Sequence, residues 1–206
     1  MSDEIKNIDK YYTIAGPVFA EIKIKGSTFI GGAYPADNSE TAIEILKSVR
    51  SKYFDASHNC FAYRFGFDGS EFRSSDDGEP SGTAGKPILF MISKYELSDI
   101  LVIVTRYFGG TKLGVGGLVR AYSDSAEAVL QVVNRKTVNR TRKFSVRCSY
   151  HDVSYVKKLI EKEAVDYTEQ YTDMIDFVVN VHLSNAENFK ENLFNHTNGR
   201  VTAIEI

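Results

Sequence analysis

The sequence predicts an α+β protein with two domains, and three observations support this prediction. Segments that alternate apolar and polar residues, as strands do, lie between segments whose apolar residues recur at helical spacing. The composition changes at 134–143, where NRKTVNRTRK contains five basic residues and a single apolar one. After this basic stretch the patterns follow the order βαββαβ. We therefore expect a first domain at 1–135 and a second at 140–206.

The first domain is expected to begin with a β-hairpin followed by a helix. Residues 19–34 alternate apolar and polar side chains around Gly26 and Ser27, a pattern typical of two strands joined by a tight turn. After the polar cluster 37–39, apolar residues recur at helical spacing, with Asn38 or Ser39 as the N-cap. The length of this pattern predicts a helix of about four turns.

Two further strands and a second helix complete the expected first domain. In NCFAYRFGF (59–67) aromatic residues recur at period two, so one aromatic face is expected to pack against the first helix. Residues 99–107 form a β-branched run that ends in charge, which is typical of a central strand with a functional or solvent-facing end. Residues 118–130 carry an apolar stripe at helical spacing and are expected to be helical.

The second domain is expected to be a ferredoxin-like βαββαβ unit, because its elements follow that order in about 65 residues. This assignment rests on element order and on no sequence motif. The expected elements are strand 144–149, helix 152–163, strand 166–171, strand 175–182, helix 186–196 and strand 200–206.

Composition and charge exclude several classes of protein. The 206 residues are 43% hydrophobic and 25% charged, which is unlike a disordered chain. The net charge of −2 excludes a bulk polycation that binds nucleic acid by charge alone. Two cysteines, Cys60 and Cys148, argue against a disulfide framework and against structural zinc. The start of the chain has no apolar targeting segment, and no apolar run is long enough for a membrane span. We expect a cytoplasmic protein.

The distribution of glycine is unusual. Ten of the 15 glycines lie between Gly66 and Gly117, mostly in the two glycine-rich stretches 76–87 and 106–117. Such clusters mark either surface turns or backbone that a ligand approaches closely. Neither stretch matches a P-loop, a dinucleotide-binding fingerprint or a serine nucleophile elbow. No catalytic residue is therefore assigned, and the two stretches are expected to lie on one face of the first domain.

The second glycine-rich stretch lies in a basic part of the chain. Between residues 100 and 123 there are three basic residues and no acid. Backbone N–H groups near Gly116 and the guanidinium of Arg106 could bind a phosphate, and Tyr107 and Phe108 could stack on a base. Alternatively, the aromatic residues continue the strand into the core and Arg106 pairs with Asp76 or Asp77. The candidate RNA-binding residues are Arg106, Tyr107, Gly109, Gly110, Lys112, Arg120, Ser81, Thr83 and His58.

The first glycine-rich stretch contains a possible acidic patch formed by Asp76, Asp77 and Glu79. Three carboxylates within four residues could bind Mg²⁺ or Ca²⁺, although their spacing is not that of an EF-hand, and solvated or arginine-paired acids are the alternative. His58 and Cys60 face one side of a strand, but two ligands do not make a zinc site. We assign no metal and no cofactor.

Three motifs in these regions resemble the IMPACT/YigZ-like family. They are ASHNCFAY (56–63), DDGEPSGTAG (76–85), and VTRYFGG (104–110) followed by KLG (112–114) and GLVRAY (117–122). The resemblance covers residues 18–130, and the βαββαβ remainder is similar to the C-terminal domain of bacterial members.

The resemblance implies a first domain of the ribosomal protein S5 domain 2-like type and a second domain like domain V of elongation factor G. Together they look like domains IV and V of that translocase. The family's eukaryotic member is a translational regulator that dampens the starvation response by competing for the activator of an initiation-factor kinase. It uses an extra N-terminal domain, whereas about 18 residues precede the first strand expected here, so that partner is not transferred.

The function expected from these features is that of a non-enzymatic RNA- or ribosome-associated protein that regulates translation. Ribosomes or RNA are the expected partners, a translation-regulatory protein is a further possible one, and neither DNA nor a membrane is expected. Two alternatives stay open. One is a Mg²⁺-dependent phosphoester enzyme that uses both glycine-rich stretches. The other is a protein-interaction adaptor.

Overall fold

The computed structural model describes residues 9–206 and confirms the α+β class, with five α-helices and three sheets over that range. The chain forms two compact units. The large unit is Tyr12–Val138, and the small unit is Asn139–Ile206 together with residues 9–11. Residues 1–8, which belong to the expected first domain and to the sequence searched for a targeting segment, lie outside the described residues. No helix within 9–206 combines the length and the apolarity that crossing a membrane requires.

The elements in chain order are β1 (Lys10–Ile14), β2 (Val18–Ile24), β3 (Ser27–Pro35), α1 (Ser39–Lys52), β4 (His58–Phe65), β5 (Glu71–Ser75), α2 (Gly85–Lys94), β6 (Ile100–Tyr107), α3 (Gly114–Gln131), β7 (Arg135–Asn139), β8 (Thr141–Cys148), α4 (Val153–Glu163), β9 (Ala164–Tyr171), β10 (Ile175–His182), a short 3-10 helix (Leu183–Asn185), α5 (Ala186–His196) and β11 (Ala203–Glu205).

The hairpin and first helix expected from the sequence are present. β2 and β3 pair antiparallel, and the turn between them is made by Lys25 and Gly26, which both have positive φ. A residue pair with positive φ suits the right-handed twist of a two-residue hairpin. Asn38 is the N-cap of α1, and its side-chain oxygen accepts a hydrogen bond from the Thr41 N–H at 2.8 Å.

The main sheet of the large unit has the strand order β2-β3-β6-β4-β5, with antiparallel neighbours throughout. One face packs against α2 and α3 around the fully buried Tyr122. On the other face, residues of α1 pack against Phe61, Tyr63 and Phe65, as the period-two pattern predicts. Phe67, the last aromatic residue of the predicted pattern, lies two residues after the end of β4.

The small unit has the element order βαββαβ, as expected. Its antiparallel sheet has the strand order β11-β8-β10-β9. Alternate residues of β10, from Ile175 to Val181, are buried, so one face of the sheet forms the core with α4 and α5. The element boundaries lie within three residues of those expected from the pattern.

The structure contains three strands, β1, β5 and β7, and one helix, α2, that the sequence did not predict, and β1 lies within the residues expected to precede the first strand. The basic stretch 134–143 contains β7 and the start of β8, and β7 forms a two-stranded sheet with β1. A strand in so small a sheet can remain polar on both faces, and this explains its lack of apolar periodicity. The helix α2 was not expected, because its N-terminal N–H groups bond to Asp76, which lies nine residues before Gly85.

Candidate functional site

A buried ion pair joins the two glycine-rich stretches. Arg106, at the end of β6, donates from Nη1 to Glu79 Oε1 at 2.6 Å. Both residues are less than a tenth exposed. A buried charge is tolerated only when it is paired and hydrogen-bonded, so this contact fixes residue 79 of the first stretch against residue 106 of the second.

The Glu79 carboxylate has further polar neighbours. Tyr122 of α3 donates to the same oxygen at 2.8 Å, and Nε2 of His58 lies 3.8 Å from it. Burial, together with the nearby Cys60 and Glu79, raises the pKa of Tyr122 well above its usual value. Tyr122 is therefore a neutral hydrogen-bond donor that connects α3 to the ion pair.

Cys60 is part of this buried cluster and is not an activated nucleophile. Its thiol donates to the Asp76 carbonyl at 3.0 Å and lies 3.3 Å from the Tyr122 hydroxyl. Burial raises the pKa of Cys60 to about 12, so the thiolate required for attack is not populated near neutral pH. His58 also has a hydrogen-bond partner within the chain, since its Nδ1 lies 2.8 Å from the Asp77 carbonyl.

The structure corrects the expected role of Arg106 as an exposed phosphate ligand. Its guanidinium is buried, and its partner is Glu79, whereas Asp76 or Asp77 had been considered. The guanidinium lies over the rings of Phe29 and Phe108, 5.5 Å from each centroid. Its Nε is buried without a hydrogen-bond partner in the described part of the chain. Arg106 therefore stabilises the site from within.

The two aromatic residues after Arg106 do not continue into the core. Phe108 is half exposed, and Tyr107 is partly exposed and donates from its hydroxyl to Asp55 at 2.8 Å. The alternative that both rings are core residues is therefore wrong. The Phe108 ring has the Arg106 guanidinium over it, 5.5 Å from the ring centroid.

Asp76 and Asp77 are also bound by groups of the protein. Asp76 accepts backbone hydrogen bonds from Gly82, Ala84 and Gly85 at 2.8–2.9 Å. Asp77 accepts from Arg50 and from the Asn59 N–H. All three acids of the patch thus have donors within the chain, and no group of three His, Cys, Asp or Glu within 9–206 is arranged to bind a metal ion. To bind a metal ion, Asp76, Asp77 and Glu79 would first have to leave these donors.

Asp76 provides a test of how the first stretch is held. Burial raises the pKa of Asp76, but the hydrogen bonds from Gly82, Gly85 and Ala84 outweigh this effect and leave the pKa below its usual 3.8. The usual pKa of 3.8 applies to Asp76 in the unfolded chain. The ionised Asp76 carboxylate therefore stabilises the folded protein fully above pH 3.8, and this contribution is lost as the pH falls through the lower pKa of the folded state. Asp76→Asn is expected to lower the free energy of unfolding by about 2 kcal/mol at neutral pH.

Urea denaturation of both proteins at about pH 7 and pH 3 measures this effect. The difference in free energy of unfolding between wild type and Asp76→Asn should be smaller at about pH 3 than at about pH 7. Asp124→Asn, at an exposed position of α3, is the matched control and should change little at either pH. A gap of equal size at both pH values would contradict the assignment of Asp76 as an ionised acceptor.

The other two basic residues between 100 and 123 are exposed to solvent. Lys112 and Arg120 are exposed, as expected. Helix α3 begins at Gly114, four residues before the start of the helix expected at 118–130, and it has neither a side-chain N-cap nor an acid in its first turn. A β-carbon added at Gly110 or Gly116 would meet nothing within 4 Å, so this backbone borders open space. Its N–H groups and the helix dipole are available to an anion.

The other candidate residues fall into two groups. Ser81 is exposed, whereas Thr83 is buried and donates from Oγ1 to the Pro80 carbonyl at 2.6 Å. Gly109 packs against the hairpin turn at Gly26, and its N–H donates to Ser27 Oγ at 3.1 Å. Thr83 and Gly109 therefore shape the loops, while Ser81 and Gly110 lie at the surface.

Sequence reasoning missed Tyr122 and Arg50 as members of this cluster. Tyr122 lies in the apolar stripe of α3 and at the end of the GLVRAY motif, and the need of a buried hydroxyl for a polar partner is the signal that could have found it. Arg50, in the last turn of α1, reaches Asp77 across 27 residues of sequence. No local pattern encodes such a distant partner.

Comparison with known proteins gives the family. The model of the Impact N-terminal domain matches residues 25–130, a range that contains all three motifs. The chain belongs to the IMPACT family. It is 34% identical to the IMPACT family member YvyE of Bacillus subtilis over 197 residues, covering 94% of this chain and 89% of that protein.

Two further comparisons agree with this assignment. The IMPACT family member YigZ of Escherichia coli is 36% identical over 148 residues, which is 71% of this chain and 72% of that protein. A crystal structure of a hypothetical protein matches with a TM-score of 0.67 and 29% identity, and the match covers 96% of this chain and 98% of the other. The similarity to YvyE and to the crystal structure extends through both units of the IMPACT chain.

Proposed function

We propose that this IMPACT family member is a non-enzymatic, cytoplasmic protein that associates with RNA or the ribosome and regulates translation. Family membership supports the proposal, because the eukaryotic member that the sequence resembles is a translational regulator. The likeness of the first domain (1–135) to ribosomal protein S5 domain 2 and of the second (140–206) to domain V of elongation factor G is part of the same proposal. The βαββαβ order of the small unit supports the second likeness.

The observation that carries the RNA proposal is the uncapped start of α3 beside two exposed cations, Lys112 and Arg120. The N-terminus of a helix is a site of positive potential, and the open glycines allow a phosphate to approach the backbone. The half-exposed Phe108 ring adds a surface on which a base can stack. Phosphate contacts of this kind position RNA without reading its sequence.

The buried ion pair supports a non-enzymatic role for the first stretch. Glu79 and Arg106 neutralise each other, and Asp76 and Asp77 bond to donors of the chain. In the proposed interface Arg106 is a positioning residue, because it fixes Glu79 and Phe108 beside the second stretch. Direct contacts to phosphate come from Lys112, Arg120 and the backbone near Gly110.

Salt titration of RNA binding tests this assignment. Lys112→Ala and Arg120→Ala should each weaken binding and lower the slope of log affinity against log salt by about 0.7–0.9, the effect of one lost phosphate contact. Lys158→Ala, an exposed cation of α4, is the control and should leave the slope unchanged. Fluorescence anisotropy with a labelled single-stranded RNA and co-sedimentation with purified bacterial ribosomes provide the two measurements.

Three outcomes would count against the proposal. RNA or ribosome binding that is insensitive to salt would remove phosphate contacts as its basis. Heat on mixing Mg²⁺ with wild type, absent with Asp77→Ala, would favour the phosphoester enzyme. Capture of a translation-regulatory protein by a chain that binds neither RNA nor ribosomes would favour the adaptor.

A further inference from the structure

The sheet of the large unit ends in an exposed strand. The outer edge of β5 pairs with no other strand in the described part of the chain. Glu71, Phe72 and Arg73 of β5 are all exposed, and Phe72 is 61% exposed. An unpaired edge presents backbone N–H and C=O groups that another strand can bind, and proteins usually shorten or cover such edges.

The register with β4 shows where the side chains of β5 lie. Phe72 is opposite Arg64, and both line a surface cavity of about 260 Å³ together with Leu89 and Ser93 of α2. Phe72 therefore lies on the face covered by α2. Glu71 and Arg73 are opposite Phe65 and Tyr63, which pack against α1, so the two charges share the other face.

We propose that β5 pairs antiparallel with β5 of a second copy of this chain about a two-fold axis at Phe72. Each Phe72 then lies opposite the Phe72 of the second copy, and each Glu71 lies opposite an Arg73. One apolar contact is formed on the α2 face, and two opposite-charge contacts are formed on the α1 face. An interface with two-fold symmetry must be self-complementary, and the order acid, aromatic, base along β5 satisfies that requirement.

The charges also select this register over its neighbours. A shift of two residues in one direction places Glu71 opposite Glu71, and a shift in the other direction places Arg73 opposite Arg73. Like charges directly opposite each other destabilise a pair of strands. A shift of one residue exchanges the two faces and separates the Phe72 rings. The polar residues at 70 and 74, which meet at the ends of the pairing, are serines and fit opposite each other.

Charge-exchange variants test the pairing by sedimentation analysis from about 1 μM to about 1 mM protein. Wild type should self-associate with increasing concentration. Glu71→Arg and Arg73→Glu should each weaken dimerisation at least about tenfold, because every charge contact becomes repulsive. An equimolar mixture of the two variants should associate more tightly than either alone. The double variant, with both changes in one chain, should regain dimerisation.

Two variants at aromatic positions complete the test. Phe72→Ser should also weaken dimerisation about tenfold or more. Phe194→Ser, at a similarly exposed position of α5, should not change it. Circular dichroism establishes that each variant is folded. A wild type that stays monomeric throughout, single charge variants that dimerise like wild type, a mixture that associates no better than its components, or loss of dimer in Phe194→Ser would each overturn the proposal.

Discussion

Replacing Arg106 with alanine is expected to lower the free energy of unfolding by about 3–5 kcal/mol. The substitution leaves the Glu79 carboxylate buried with Tyr122 as its donor and without a cation. An unpaired buried charge costs far more free energy than a buried ion pair, because no opposite charge compensates its loss of hydration. Equilibrium denaturation in urea measures the change directly.

A double substitution separates the charge effect from the loss of packing. Glu79→Gln alone should also destabilise the protein, because it leaves the Arg106 guanidinium buried without a counter-ion. Combining Arg106→Met with Glu79→Gln should recover part of the loss, since neutral groups of similar size replace both charges. Arg120→Ala, at an exposed position, is the control and should change stability by less than about 0.5 kcal/mol. A loss of similar size in Arg106→Ala and Arg120→Ala would contradict the buried ion pair.

This expectation changes how binding data for Arg106 variants are interpreted. If Arg106→Ala loses RNA binding, the cause would be disorder of the site, because both glycine-rich stretches lose the ion pair that holds them together. Loss of binding in Lys112→Ala would leave the free energy of unfolding unchanged, because that side chain is exposed. Measuring stability and salt slope on the same variants therefore distinguishes a positioning residue from a phosphate contact.

The sequence predicted well those elements whose signals are local. The hairpin at 19–34 and the N-cap at Asn38 depend on a turn and on a side chain three residues from its partner. The order of the strands and α-helices in the small unit was predicted, and β10 alternates buried and partly exposed residues along its whole length. The turn and the N-cap are encoded by residues close in sequence, and in β10 the apolar residues recur with the same period as the buried positions.

Features that depend on distant partners were not predicted. Helix α2 has its first N–H groups bonded to Asp76, so no capping residue adjoins it in sequence. The basic residues of β7 resembled a linker, although the strand pairs with β1 at the other end of the large unit's sequence. The sequence left open whether Arg106 binds phosphate or pairs with Asp76 or Asp77, and its buried partner is instead Glu79.

Gly109→Ala is expected to lower the free energy of unfolding by about 3 kcal/mol, because there is no space for a side chain at this position. A β-carbon on Gly109 would lie 1.9 Å from the carbonyl carbon of Gly26 and 2.3 Å from the Ser27 nitrogen. Both contacts are to backbone, so relief requires the β2–β3 turn or the segment after β6 to move. Such a movement also strains the hydrogen bond from Gly109 to Ser27 Oγ.

Gly116→Ala is the matched control, because a β-carbon there meets nothing within 4 Å and the residue lies in the first turn of α3. Alanine favours the helix over glycine by about 1 kcal/mol, so this variant should be as stable as wild type or slightly more stable. Thermal denaturation of the two variants compares a glycine fixed by close backbone contact with one that borders open space. If Gly109→Ala were as stable as Gly116→Ala, the hairpin turn would not pack against the second stretch, and the placement of that stretch beside β3 would be wrong.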